Sequence, residues 1–178
     1  MRRLPEDYAI ARSTQDEIPA LIAIDLAAGA LFADTGLLSA DALTDHVPPE
    51  VFEQAIAGDD LIIARCPAQQ PVGFALTSRR SGTLYLDQIS VHPGHGRKGI
   101  GAVLVDRVIA EAKLRKLRCV TLSTFRDLAW NGPFYRRMGF REIARGKLAD
   151  WMLELETVQA ASLDISQRCF MKRKVGWL

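Results

Sequence analysis

The chain has 178 residues, 48% hydrophobic and 25% charged, with a formal net charge of +2. That length and balance read as one domain, residues 1–178, with enough chain to bury a full core, and they exclude a low-complexity polypeptide. No run of about 18 apolar residues suggests a membrane span, and Met1-Arg2-Arg3-Leu4-Pro5-Glu6-Asp7 meets an acid too early for a signal peptide, so the expected location is the cytoplasm.

Charge is distributed unevenly. Met1 to Asp60 holds 3 basic against 12 acidic residues, a balance of −9, whereas positions 61–178 carry +11. Such a field would draw an anionic cofactor to the later part and a cationic amine to the earlier one; solvated helix faces account for it equally well. Cys66, Cys119 and Cys169 are odd in number, scattered and set in or beside apolar runs. They read as buried small hydrophobes, with neither a disulfide framework nor zinc spacing.

In chain order, Tyr8 to Arg12 alternates and predicts a short strand, and Thr14-Gln15-Asp16-Glu17 has the form of a capping start for a helix carrying Ile18, Leu21, Ile22 and Leu26. A loop from Gly29 to Gly36 precedes helical pieces around Asp41 to His46 and Pro49 to Ala57. Leu61 to Cys66, Val72 to Arg79 and Leu84 to Val91 predict three strands of an antiparallel meander. The helix from Gly99 to Arg115 ends in Lys113, Arg115, Lys116 and Arg118, cations suited to the negative end of its dipole. Without interleaved aromatics or a reader motif, that cluster predicts no nucleic-acid partner. Strand Val120 to Thr124, a loop to Asn131, a short helix Gly132 to Met138 and strand Phe140 to Arg145 follow. Last come an amphipathic helix from Lys147 to Ala161, with Leu148, Trp151, Leu155 and Val158 on one face, and a strand from Arg168 to Val175.

Between the third meander strand and the long helix stands His92-Pro93-Gly94-His95-Gly96-Arg97-Lys98-Gly99-Ile100-Gly101. A helix N-terminus normally finds a Ser, Thr, Asp or Asn cap, and none lies between Pro93 and Ile100. Glycines that admit close approach, the charges of Arg97 and Lys98 and the helix dipole make this a pyrophosphate site. Two spellings coexist. Gly94-x-Gly96-x-x-Gly99 is the dinucleotide fingerprint; yet that motif wants its first glycine on the strand end and an acid about 20 residues on, whereas here His92-Pro93 intervenes and the next strand runs toward Arg126, which would suit only an NADP-dependent oxidoreductase.

The other spelling, Gly96-x-x-Gly99-x-Gly101, resembles most of the coenzyme A loop of the GCN5-related N-acetyltransferases (GNAT family). Asn131-Gly132-Pro133-Phe134-Tyr135-Arg136-Arg137-Met138-Gly139-Phe140 resembles that family's second motif, a short helix bearing Phe-Tyr followed by Gly-Phe opening a strand. The likeness is tight over Leu84 to Ile143. It implies an α/β fold of the α+β type, a mixed, largely antiparallel sheet of about seven strands flanked by helices. It implies acetyl-CoA as cosubstrate, bound by Ile89, Ser90, Val91, Gly96, Arg97, Lys98, Gly99, Ile100, Gly101, Asn131 and Phe134. The early helical region would build much of the acceptor pocket, with Phe32, Asp34 and Phe52 as either substrate contacts or core.

Acetyl transfer from a thioester to an amine needs a neutral amine, stabilisation of an oxyanion and a proton for the departing thiolate. The resemblance makes splayed strands near Ile89 to Val91 the source of backbone N–H groups for the second task. Tyr135 is the candidate general acid, a phenol with an ordinary pKa near ~10. Asp87 is the candidate that binds the amine or relays its proton through water, and it would need burial to act as a base. Cys119, inside an apolar strand, is not expected to carry the acyl group, so attack is direct in a ternary complex. His92 and His95 lack a third ligand and are expected to shape the turn, with no metal. Gly96-Arg97 reverses the usual order at the head of the loop, and Asn131 reads equally as a helix cap.

The reading is an acetyl-CoA-dependent N-acetyltransferase acting on a primary amine of a small molecule or peptide, with no membrane partner. A homodimer through Lys147 to Ala161 and the last strand is compatible with it. A non-catalytic acyl-CoA sensor remains the alternative.

Overall fold

Strand-forming runs pair into one sheet whose order is not that of the chain. The computed structural model describes residues 2–176. Its strands are β1 (Ala9–Ala11), β2 (Leu61–Arg65), β3 (Pro71–Arg80), β4 (Thr83–Val91), β5 (Cys119–Phe125), β6 (Arg141–Glu142) and β7 (Arg168–Lys174), arranged β1-β2-β3-β4-β5-β7-β6. Every neighbouring pair is antiparallel except β4 with β5. A parallel pair needs a crossover, and the long helix after the glycine loop, α4 (Ile100–Leu114), supplies it.

The remaining helices are α1 (Ile18–Gly29), α2 (Ala40–Leu43), α3 (Pro49–Ala57), α5 (Gly132–Arg137) and α6 (Asp150–Gln159). On one face of the sheet, Ile100, Leu104, Val108 and Ala112 of α4 and Tyr135 and Met138 pack on Ala64, Ala75, Leu86, Leu122 and Met171. On the other, α1 and α3 bury Leu21, Ile24 and Phe52 against Ile63, Phe74 and Leu76, while Met152 of α6 meets Tyr85, Ile143 and Phe170. Phe52 is fully buried edge-on to Phe74 and belongs to the core.

Two expected elements are trimmed. The strand over Phe140 to Arg145 is only Arg141–Glu142, because the chain turns at Arg145–Lys147 once Ile143 has dropped into the core. That turn also delays the next helix to Asp150, and Val158 stands 70% exposed instead of joining Trp151 and Leu155 on the packed face.

A β-bulge sits in the middle of β4. Leu76 lies opposite Gln88 but Thr77 lies opposite Leu86, so Asp87 is the extra residue. It reverses the alternation: Leu84 and Leu86 face α4 before it, Ile89 and Val91 after it, while Gln88 and Ser90 turn toward α1.

Candidate active site

The glycine loop adopts the uncapped form its sequence predicts. Gly99 holds the N-cap position of α4 at φ 77° with no side-chain cap, and Arg97 is also left-handed at φ 56°. Among the described residues, the N–H groups of Arg97 through Ala102 find no partner within the protein. A row of free donors at the positive end of a fifteen-residue helix, beside two cationic side chains, fits a pyrophosphate. The histidines shape the turn: His92 Nδ1 accepts from Gly94 N at 3.1 Å, and His95 Nδ1 lies 2.8 Å from Tyr8 Oη, to which Lys98 also donates.

Beyond Leu86 and Leu122, β4 and β5 are no longer paired. His92 N donates to Val72 O, so by antiparallel alternation Ser90 and Gln88 turn their backbone groups toward β3, whereas Ile89 and Val91 turn theirs toward the parting. Ser90 contributes neither its backbone, which faces β3, nor its hydroxyl, which donates to the Asp25 carboxylate at 2.7 Å. Ile100 is 1% exposed, which leaves only its main chain available to a ligand.

Asp87 directly follows Leu86, at the point where β4 leaves β5. Tyr135 lies in the α4 core, its ring against Phe134 and Phe140, and burial pushes its phenol far above the usual range. The phenol therefore stays protonated over the ordinary pH range. Asp87 is the opposite case. Burial raises its carboxyl to about 6 although Ser78 and Arg80 draw it back, and its Oδ2 is buried without a partner. The burial that base behaviour requires is present.

Asn131 stands at the N-cap of α5 but makes no cap bond; its Oδ1 accepts from Thr124 Oγ1 at 2.8 Å, tying the loop to β5. The next residue must be glycine, since a Cβ on Gly132 would lie 2.0 Å from Arg126 O. Cys119 begins β5 at the end remote from the parting, and burial pushes its thiol up, as suits a cysteine that carries no acyl group.

The family model of the acetyltransferase (GNAT) family matches residues 34–140, which include the glycine loop and the Tyr135 helix. The chain belongs to the GNAT acetyltransferase family. It is thus an acetyl-CoA-dependent N-acetyltransferase, and the second spelling of the loop is the operative one. The PaiA N-acetyltransferase of Thermoplasma acidophilum, solved in complex with coenzyme A, is 15% identical with a TM-score of 0.72, over 94% of this chain and 98% of that one. The ribosomal-protein-S18-alanine N-acetyltransferase of Escherichia coli is 16% identical with a TM-score of 0.65, over 96% of each chain. At such identities the likeness carries the fold of this GNAT acetyltransferase and nothing about its acceptor.

On the face where an acceptor would approach, three residues escaped the reading of the sequence. Asp25 of α1 is buried and takes hydrogen bonds from Gln88 Nε2, Ser90 Oγ and Val47 N, locking α1 onto the bulged strand. Tyr85 is buried between Trp151 and the charges of Asp87 and Arg168. Arg168 opens β7 and lies over the Phe125 ring at 4.8 Å. Phe32 and Trp130 extend this aromatic wall, and a pocket of about 300 Å³ opens beside it among Thr35, Leu37, Phe125, Asp127, Leu128 and Gln167. Asp34 is exposed and contributes nothing to that pocket. None of the three belongs to a local motif; each acquires a role only through pairing across the sheet.

Proposed function

We propose that the enzyme transfers the acetyl group of acetyl-CoA to a primary amine by direct attack in a ternary complex, within one domain. The buried, unpartnered Asp87 oxygen at the strand parting supports this reading. The free N–H groups of Arg97 to Ala102, with Arg97 and Lys98, hold the pyrophosphate, and Phe134 packs beside the cofactor's path. Acetyl-CoA supplies the acyl group as a thioester. The N–H groups of Ile89 and Val91 polarise its carbonyl, a task for which pre-aligned main-chain donors need no reorganisation.

An amine reaching the parting is a cation in water and must lose a proton to attack. Asp87, ionised above about 6 and holding an unpartnered oxygen, binds the ammonium and takes its proton directly or through one water. Tyr135, as general acid, gives its proton to the departing thiolate and regains one from solvent. None of the three cysteines suits an acyl-enzyme route: Cys119 is remote from the parting, Cys66 lies in the core with β2 and β3, and burial lifts Cys169 to about 11.

Initial rates with both substrates varied distinguish the routes. Intersecting double-reciprocal lines are expected of a ternary complex; parallel lines, with acetyl label retained on the protein after gel filtration, would refute it. Thiol release that depends on added amine, across a library of small amines and peptides, checks the acceptor class.

A further inference from the structure

Arg168 stands apart from the arginines that hold a carboxylate. Arg65 holds Glu17, Arg115 holds Asp60 and Glu111, and Arg126 holds Glu142. Arg168, partly buried, has no carboxylate within ion-pairing distance among the described residues; its one side-chain hydrogen bond is from Nη2 to Ser123 Oγ at 3.1 Å. Its Nε is buried with no partner at all. A guanidinium withdrawn from water without a counter-ion is unfavourable, and proteins keep such a group where an anion will meet it.

Its surroundings say where that anion comes from. Ser123 also donates to Gln159 Oε1 of α6, and the Phe125 ring lies beneath the guanidinium, so the plane of Arg168 is fixed from two sides. Register places it on the acceptor face: Arg168 pairs with Phe125, two residues beyond Ser123, past the point where β5 has left β4. The charges of both Asp87 and Arg168 act on the Tyr85 phenol, the carboxylate raising its pKa and the guanidinium lowering it. A ligand there meets an anion suited to an ammonium and a cation suited to a carboxylate.

We propose that the acceptor is an amine that carries a carboxylate in the same small molecule, an amino acid or close analogue, and that Arg168 binds this carboxylate while Asp87 receives the amine. This rests on the acceptor approaching from the Asp87 side, as proposed above. The aromatic wall of Phe32, Phe125 and Trp130 favours an apolar side chain on that acceptor. A peptide N-terminus, whose first carboxyl is an amide, leaves the guanidinium without its partner.

The test compares kcat/KM for each common amino acid with that for its decarboxylated amine and its carboxamide, in wild type, Arg168→Gln and Arg168→Lys. A charge-assisted contact predicts a preference for the free acid of about thirtyfold, falling to within about threefold in Arg168→Gln. Arg168→Lys, which keeps charge without the planar fork, is expected to fall between them. Equal rates for acid and amide in wild type, or an unchanged ratio in Arg168→Gln, would overturn the assignment. Should Arg168→Gln not fold, the wild-type ratio and Arg168→Lys still decide.

A readout independent of turnover is the thermal shift given by N-acetyl amino acids and by their carboxamides at saturating coenzyme A. A shift from the acids alone in wild type supports the site, and no shift from any acid refutes it. Failure of the catalytic reading is separable: it would show as full rates in Asp87→Asn and Tyr135→Phe whatever the acid-to-amide ratio.

Discussion

Ser90 Oγ and the Asp25 carboxylate lie 2.7 Å apart across 65 positions of chain, and this bond joins the first long helix to the strand that presents the acyl site. Asp25 also takes Gln88 Nε2 at 2.8 Å and Val47 N at 2.9 Å. Asp25→Ala strands these donors in a buried place, where each unsatisfied group costs roughly 1–3 kcal/mol. Urea unfolding should show a loss of about 3 kcal/mol, and acetyl transfer should fall further than cofactor binding because the strand after the bulge loses its anchor.

Asp87 sets the pH dependence. Its folded-state pKa, about 6, lies above the ordinary 3.8, and in the proposed reaction the ionised form is the base. Activity as kcat/KM should therefore rise with pH through about 6 and level off, and Asp87→Asn should lose that limb along with about a hundredfold or more in rate. The same shift has a stability consequence of opposite sense. A raised carboxyl pKa stabilises the fold fully below 3.8 and loses that contribution as pH climbs through about 6. Asp87→Asn should accordingly be more stable than wild type at pH 8, by about 2 kcal/mol, with the gap closing by pH 4. Unfolding curves at the two pH values check the sign.

Tyr135→Phe removes one oxygen from a position that is 7% exposed. It should fold as wild type and bind acetyl-CoA with unchanged Kd by calorimetry, while kcat drops about tenfold to a thousandfold for want of the donor to sulfur. An equal loss of affinity and rate would instead make the phenol a cofactor-packing group.

Gly132→Ala tests the loop that carries Asn131. With a Cβ only 2.0 Å from a main-chain oxygen, the Arg126 to Gly132 segment must shift, and the Thr124 to Asn131 bond with it. The expectation is a lower Tm and a raised KM for acetyl-CoA. Gly99→Ala makes a contrast: nothing lies within 4 Å of its Cβ, so only the left-handed backbone, at φ 77°, is penalised, by about 1 kcal/mol.

The glycine loop, the uncapped start of α4, the meander and the Phe134-Tyr135 helix were legible in the sequence because each is a local pattern: turn residues, apolar period and cap chemistry act over a few neighbouring positions. The resemblance these patterns carry pointed to the family and implied the cofactor and the acceptor-side carboxylate Asp87. Tertiary structure decided what depends on strands meeting. The bulge that makes Asp87 the extra residue is a mismatch of register between β3 and β4, and the parting that frees Ile89 and Val91 is a divergence of β4 from β5. Asp25 and Arg168 carry no local signal; the assembled fold sets one against three donors and the other without a carboxylate. Burial is a property of the assembled sheet, and it is burial that turns a common charged side chain into an anchor, a base or a waiting cation.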